Sequence, residues 1–122
     1  MKLSGADIVL ECLKRAGVDT IFGCPGGVVL PLYDRFPAHP EIHHILTRHE
    51  QGAGYMALGH ALATGQPAVF SVVPGPGFLN ASAALATAYA VNAPLLCLSG
   101  QIPSKAIGKG LGSLHEIPDQ LG

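Results

Sequence analysis

The chain has 122 residues, a net charge of −1 and a charged fraction of 12%, against 48% hydrophobic residues. This length allows one domain with its own core. The seven Lys and Arg residues form no cluster, which excludes the basic surface of a nucleic-acid-binding protein. Soluble domains carry about twice this share of charge, so we expect a partner surface to cover part of the chain.

Glycine or proline interrupts every apolar run before the length of a membrane-spanning helix, and the amino terminus lacks the apolar stretch of a signal peptide. We therefore predict a cytoplasmic protein with no membrane segment. Cys12, Cys24 and Cys97 are odd in number and widely spaced, which argues against a disulfide framework or a zinc site. The histidines also lack metal-site spacing, since His43 and His44 would point to opposite faces of one strand, and we predict no metal ligands.

The predicted elements alternate between helix and strand over the first hundred residues. The first helix is predicted over residues 5–16, because Ser4 and Asp7 have the spacing of a helix-capping pair. A strand at 20–22, a glycine turn and a helix starting near Pro31 follow. Apolar runs and their breakers then predict strands at 42–47, 68–73 and 94–99, with helices over 50–63 and from the 74–77 turn to residue 89.

This order predicts an α/β fold with a doubly wound parallel sheet flanked by helices. The ligands of such sheets bind at the carboxyl ends of the strands. Residues 100–122 hold five glycines and two prolines without a period and are predicted to form a long loop. Because no strand follows that loop, we expect a domain that is incomplete at its C-terminus and belongs to a longer polypeptide.

Two glycine-rich turns match nucleotide-binding motifs only in part. In Gly75-Pro76-Gly77, Asn80 stands where a dinucleotide turn has its third glycine, and no acid closes the next strand. That turn either packs a helix or frames another ligand. Gly108-Lys109-Gly110 lacks the first glycine and the Ser or Thr of a phosphate loop, so we exclude that function for it.

Glu50 begins the predicted helix at 50–63, just past the carboxyl end of a strand. Acidic residues are favoured in a first helical turn by the helix dipole and by unpaired amide groups, so position alone favours a structural cap. The same position also lies at the edge of the sheet where ligands bind, which suits an active-site carboxylate.

Five short motifs follow one another along the chain: Gly23-Cys24-Pro25-Gly26-Gly27, Arg48-His49-Glu50-Gln51-Gly52-Ala53, Gly75-Pro76-Gly77 with Asn80, Gly100-Gln101-Ile102-Pro103 and His115-Glu116. In this order they resemble thiamine diphosphate-dependent enzymes of the acetolactate synthase and 2-oxo acid decarboxylase group. The resemblance covers essentially the whole chain. It implies that residues 1–122 form part of the N-terminal pyrimidine-binding domain, without the middle and diphosphate-binding domains.

The resemblance implies a role for each motif. Glu50 would hydrogen bond to N1′ of the cofactor's pyrimidine and so promote loss of the thiazolium proton. The other implied contacts are Pro25 and Gly26 approaching the pyrimidine, Pro76 and Asn80 bordering it, and His115 facing the substrate. That substrate would be a 2-oxo acid, either decarboxylated or joined to an acceptor. Because His115 replaces the glutamine usual in acetolactate synthases, the 2-oxo acid and the acceptor stay open.

The resemblance also implies partners for the site. The family's diphosphate and Mg²⁺ motif, Gly-Asp-Gly followed by Asn-Asn, does not occur in the chain. We therefore expect a diphosphate-binding domain, from a second copy in a homodimer or tetramer, to supply Mg²⁺. FAD would bind a middle domain, so its presence stays undecided. We expect the chain alone to be inactive and to bind no thiamine diphosphate.

Three other interpretations stay open. The chain could be a separate pyrimidine-domain subunit of a two-chain decarboxylase, as in sulfopyruvate decarboxylase-like enzymes. It could also be a catalytically silent interaction domain, although the intact Glu50 motif argues against this. A plain dinucleotide-binding domain is the third interpretation, and the missing acid weakens it.

Overall fold

The computed structural model describes residues 2–120, so Met1 and the last two residues of the predicted loop, Leu121 and Gly122, lie outside the described residues. Helices and strands alternate in the order that the sequence predicts. They are α1 (Gly5–Arg15), β1 (Thr20–Gly23), α2 (Leu30–Tyr33), β2 (His43–Leu46), α3 (Glu50–Thr64), β3 (Ala68–Val72), α4 (Pro76–Ala90) and β4 (Leu95–Ser99).

The four strands form one parallel sheet in the order β2-β1-β3-β4. Helices α1 and α2 cover one face through a core of Leu10, Leu13, Val18, Ile21, Ile42 and Val69, against which Leu32 and Phe36 pack. Helices α3 and α4 cover the other face through Phe22, Ala53, Ala57, Ala61, Ala68, Phe70, Val72 and Ala81. With helices on both faces, the predicted doubly wound α/β sheet is confirmed.

The ends of the predicted helices are set by local hydrogen bonds. At α1, the amide of Asp7 donates to Ser4 Oγ (3.2 Å), while Asp7 Oδ2 accepts from the Ser4 amide (3.0 Å). At the other end of the sheet, α3 stops at Gly65, whose φ of 68° suits glycine better than any residue with a side chain. No helix in the described part of the chain is both long and apolar enough to cross a membrane.

The helix predicted near Pro31 is present, and it is short. Only Leu30–Tyr33 is α-helical, between 3₁₀ turns at Gly27–Val29 and Phe36–Ala38. Pro37 has no amide hydrogen to donate to the carbonyl of Tyr33, so an α-helix cannot continue through it. The amides of Ala38 and His39 instead bond three residues back, in the tighter 3₁₀ pattern.

The structure contains no helix or strand within residues 100–120, as predicted for this segment. It begins where β4 ends, with the amide of Gly100 donating to the carbonyl of Val72 (3.3 Å). The segment then returns to the carboxyl edge of the sheet, where its backbone at His115 reaches the turn after β3.

Candidate active site

The carboxyl ends of β1 and β3 lie side by side at the centre of the sheet. From β1 the chain crosses to β2 on the α2 face, whereas from β3 it crosses to β4 on the α4 face. Connections that leave neighbouring strands in opposite directions leave a crevice between them, which is the usual ligand position in open α/β sheets.

Glu50 is the first residue of α3 and its side chain is half-buried at this edge. The capping hydrogen bond of α3 comes from a different residue, because His49 Nδ1 accepts from the amide of Gln51 (3.1 Å). The sequence assigned no role to His49. Since His49 caps the helix, the Glu50 carboxylate is available for contacts outside α3.

The Glu50 carboxylate is held from the neighbouring helix. Asn80, on the first turns of α4, donates a hydrogen bond from Nδ2 to Glu50 Oε2 (3.1 Å). Oxygen Oε1 lies beside Gly77, 3.4 Å from the position that a β-carbon on that residue would take. One carboxylate oxygen is thus oriented by Asn80, while the other faces the glycine turn.

Val73 lies between two glycine-containing loops of the site, the first loop at residues 23–27 and the second loop at residues 75–77. A β-carbon on Gly26 would lie 2.6 Å from Val73 Cγ1, and one on Gly77 would lie 2.5 Å from Val73 Cγ2. Val73 is itself buried, at 7% exposure. No side chain fits at either glycine without moving Val73, so both loops pack against Val73, and Gly77 also lies beside Glu50.

Cys24 belongs to the first loop, and the hydroxyl of Tyr33 lies beside Gly23 at the start of that loop. Burial, and then the negative charge of Glu50, raise the pKa of the Cys24 thiol. Burial raises the pKa of Tyr33 to about 12, and its hydroxyl donates to the carbonyl of Ser71 (3.3 Å). Both groups are therefore neutral near pH 7, and neither adds a charge beside the Glu50 carboxylate.

His115 lies against the turn that begins α4. Its carbonyl oxygen is 2.5 Å from the position of a β-carbon on Gly75, whose φ of 64° requires glycine in any case. His115 itself has a φ of 73°, and its Nδ1 atom is buried without a hydrogen-bond partner. His115 is thus attached to the second loop, and no hydrogen bond joins it to Glu50 within the described residues.

A second polar cluster lies at the other end of the sheet, between α1 and the segment before β2. Potential metal-ligand atoms of Glu11, His39 and Glu41 lie within 4.8 Å of one another. The ammonium group of Lys14 already bonds to both glutamates, at 2.8 Å from Glu11 Oε1. The positive charge in this cluster is therefore supplied by the chain itself.

Asp7 joins that cluster to the cap of α1. Hydrogen bonds from Ser4, Arg35 and His39 hold the pKa of the Asp7 carboxyl well below its usual range. The Arg35 contact is 2.6 Å and the His39 contact 3.2 Å, both to Oδ1. This buried carboxylate connects the first helix to the irregular connection after α2.

The site residues predicted from the sequence gather at one edge of the sheet, but only some of them are in contact with one another. Glu50 and Asn80 are hydrogen bonded, and Gly26 approaches the second loop through Val73. Pro25 and Pro76 are exposed on the two loops. Sequence reasoning missed Val73, and its only signal was its place at the end of an apolar strand, next to a Pro-Gly turn.

Comparison with known protein families covers nearly the whole chain. Residues 3–122 match the family described as "Thiamine pyrophosphate enzyme, N-terminal TPP binding domain". A crystal structure from Mycobacterium smegmatis, of a protein assigned to the thiamin diphosphate-dependent enzymes, superposes with a TM-score of 0.78 at 31% identity. That match covers 86% of this chain and 20% of the other.

Curated relatives are similar over the same region. The chain is 47% identical to probable 2-ketoarginine decarboxylase AruI from Pseudomonas aeruginosa, over 97% of this chain and 21% of that protein. It is 48% identical to the acetolactate synthase large subunit from Lactococcus lactis, over 87% of this chain and 18% of that subunit. The chain thus spans about a fifth of the length of these relatives.

Proposed function

The chain belongs to the family of thiamine pyrophosphate enzymes, as their N-terminal TPP-binding domain, and on this basis we propose that it forms the pyrimidine-binding half of a cofactor site in an enzyme acting on 2-oxo acids. The relatives include proteins named as acetolactate synthases and as a 2-ketoarginine decarboxylase. The observation that carries the proposal is the Glu50 carboxylate, oriented by Asn80 between two glycine loops.

The residues at this edge fit the aminopyrimidine part of thiamine diphosphate. A flat ring needs close backbone approach, and Gly26 and Gly77 let both loops pack tightly on Val73, because a β-carbon at either position would clash with that side chain. A ring nitrogen needs a group that accepts and returns a proton, and Glu50 is a carboxylate with one oxygen turned to the second loop. Thiamine diphosphate, when bound, supplies carbanion chemistry at its thiazolium ring.

Each side chain then has a defined task. Glu50 would hold or release a proton at the pyrimidine N1′ of the bound cofactor. Asn80 orients the carboxylate through its bond to Oε2. In the same proposal, Pro25 and Gly26 approach the ring from the first loop, Pro76 and Asn80 border it from the second, and His115 faces the 2-oxo acid.

The chain spans about a fifth of the length of these relatives, which leaves room for a second domain at the proposed site. We propose that residues 1–122 are part of the pyrimidine-binding domain and that a diphosphate-binding domain holds the diphosphate and Mg²⁺. A second copy in a homodimer or tetramer would supply that domain. None of the proposed roles of Glu50, Asn80 or His115 requires FAD.

Cofactor removal from the intact enzyme tests this function. The apoenzyme should release no CO₂ from pyruvate or longer 2-oxo acids, and thiamine diphosphate with Mg²⁺ should restore turnover. If the enzyme reconstituted with thiamine diphosphate and Mg²⁺ consumed no 2-oxo acid, that result would contradict the proposed substrate class. Turnover that is independent of thiamine diphosphate would contradict the proposed site, and so would an enzyme that binds no cofactor.

A further inference from the structure

Gln120 connects the second loop of the site to the end of β4. Its Oε1 atom accepts a hydrogen bond of 2.7 Å from the amide of Gly75, and its Nε2 atom donates to Ser99 Oγ across 3.3 Å. Ser99 in turn donates to the carbonyl of Gly100. One side chain thus joins the turn after β3 to the strand beside it.

Among residues 2–120, Gln120 Oε1 is the hydrogen-bond acceptor of the Gly75 amide. Gly75 precedes the first turn of α4, where the helix leaves its early amides without acceptors of its own, and the residue is buried. A buried amide without an acceptor is unfavourable, so removal of the Gln120 carbonyl should loosen the turn rather than leave it unchanged.

The same turn touches the segment that carries His115. The carbonyl of His115 packs on Gly75, and Gln120 lies five residues further along that segment. The segment is thus attached to the turn at two points, one by packing and one by hydrogen bonding. Gly77, two residues beyond Gly75, is the residue that faces Glu50 Oε1.

We propose that Gln120 is a positioning residue, which fixes the segment carrying His115 to the second loop and so sets the distance between substrate and cofactor contacts. This role rests on the proposed function of His115 and the second loop. It predicts that loss of Gln120 changes KM for the 2-oxo acid more than kcat, because the groups that react with the cofactor are left in place.

The test uses three variants of the intact enzyme, each saturated with thiamine diphosphate. Gln120→Ala removes both hydrogen bonds and should raise KM for the 2-oxo acid about tenfold. Gln120→Glu keeps an oxygen for the Gly75 amide and should stay within about threefold of the wild type. Ser99→Ala removes only the weaker contact and should also stay within about threefold.

A second measurement is independent of catalysis. Hydrogen exchange at the Gly75 amide should be faster in Gln120→Ala than in the wild type and close to wild type in Gln120→Glu. Unchanged KM, or unchanged exchange, in Gln120→Ala would overturn the positioning role. If the wild type showed no thiamine diphosphate-dependent turnover, the proposed function would fail, while the exchange measurement would still decide whether Gln120 holds the turn.

Discussion

Asn80 on α4 donates a hydrogen bond to the carboxylate of Glu50, the first residue of α3, across 3.1 Å. The bond joins two helices that begin at the same edge of the sheet. It gives Glu50 a fixed orientation without making it part of the helix cap, since His49 supplies that cap. The proposed chemistry of Glu50 depends on this arrangement.

Glu50→Gln should remove the proton-transfer group while keeping the volume and the Asn80 contact. We expect kcat of the intact enzyme to fall at least about 100-fold, the scale of general acid–base assistance. Exchange of the thiazolium proton of bound cofactor, followed by NMR, should slow by a similar factor. Glu41→Gln is the matched control, because Glu41 precedes β2 and Glu50 follows it. Equal losses in the two variants would exclude the proposed role of Glu50.

We expect the effect of Asn80 on catalysis to come from the hydrogen bond that its amide donates to Glu50. Asn80→Ala removes the donor to Glu50 Oε2 and should lower kcat/KM about tenfold. Asn80→Asp should be worse than alanine, since it places a second carboxylate 3.1 Å from the first. Steady-state kinetics of both variants, with Ser82→Ala on the same helix as control, will check the order. An Asp variant as active as wild type would contradict it.

Gly77→Ala should destabilise the protein and weaken cofactor binding together. The new β-carbon would meet Val73 Cγ2 at 2.5 Å, and overpacking of this kind costs about 1–3 kcal/mol. Gly59→Ala in α3 is the control, because a β-carbon there meets nothing within 4 Å and should stabilise the helix by about 1 kcal/mol. Thermal unfolding and cofactor titration of both variants give the comparison.

Val73→Ala offers a rescue of that variant. If the clash with Val73 is the cause, Gly77→Ala combined with Val73→Ala should bind cofactor better than Gly77→Ala alone. A double variant that binds no better than Gly77→Ala would mean that Val73 does not separate the loops.

Stability in acid should depend on Asp7. Partners in the fold lower the pKa of this carboxyl, so the native state holds its charged form more strongly than the unfolded chain does. Its contribution is complete above the unfolded pKa of about 4 and is lost as pH falls through the lower folded pKa. The fall in Tm between about pH 5 and about pH 2 should therefore be less steep in Asp7→Asn than in the wild type.

Asp34→Asn provides the control for this acid dependence, since it removes one exposed carboxylate elsewhere on the chain. Equal slopes in wild type and Asp7→Asn would show that the Asp7 contacts add no pH-dependent stability.

The 122-residue chain alone should bind no thiamine diphosphate, because we propose that another domain supplies the groups that hold the diphosphate and Mg²⁺. Isothermal titration with the cofactor and Mg²⁺ should give no heat of binding, while circular dichroism verifies that the chain is folded. Tight binding by the folded chain would refute the division of the site between domains.

Local patterns predicted most of the fold. The spacing of Ser4 and Asp7, the glycine at 65 and the apolar strands each act within a few residues, and their elements are confirmed. The helix predicted near Pro31 is confirmed as α2, and an α-helix cannot continue through Pro37 because that residue has no amide hydrogen to donate. The family predicted from the five motifs is confirmed by the match over residues 3–122.

The site was less accessible to sequence reasoning. The position of Glu50 followed from a strand-to-helix junction, but position alone favoured the cap that His49 supplies. Val73 and Gln120 act through contacts with residues far away in the sequence. Val73 packs against Gly26, and Gln120 bonds to Gly75, which lies 45 positions before it. No local spacing encodes such contacts, and the catalytic roles themselves stay predictions.

Strand β4 bonds to β3 along one side, and within the described residues no strand pairs with its other side. Its residues Leu95 to Leu98 are apolar, and Leu96 is 44% exposed. A parallel sheet edge of this kind offers a row of free amides and carbonyls to any extended chain. The domain handled on its own should thus self-associate as its concentration rises, a practical hazard for expression that a covering element in the intact enzyme would remove.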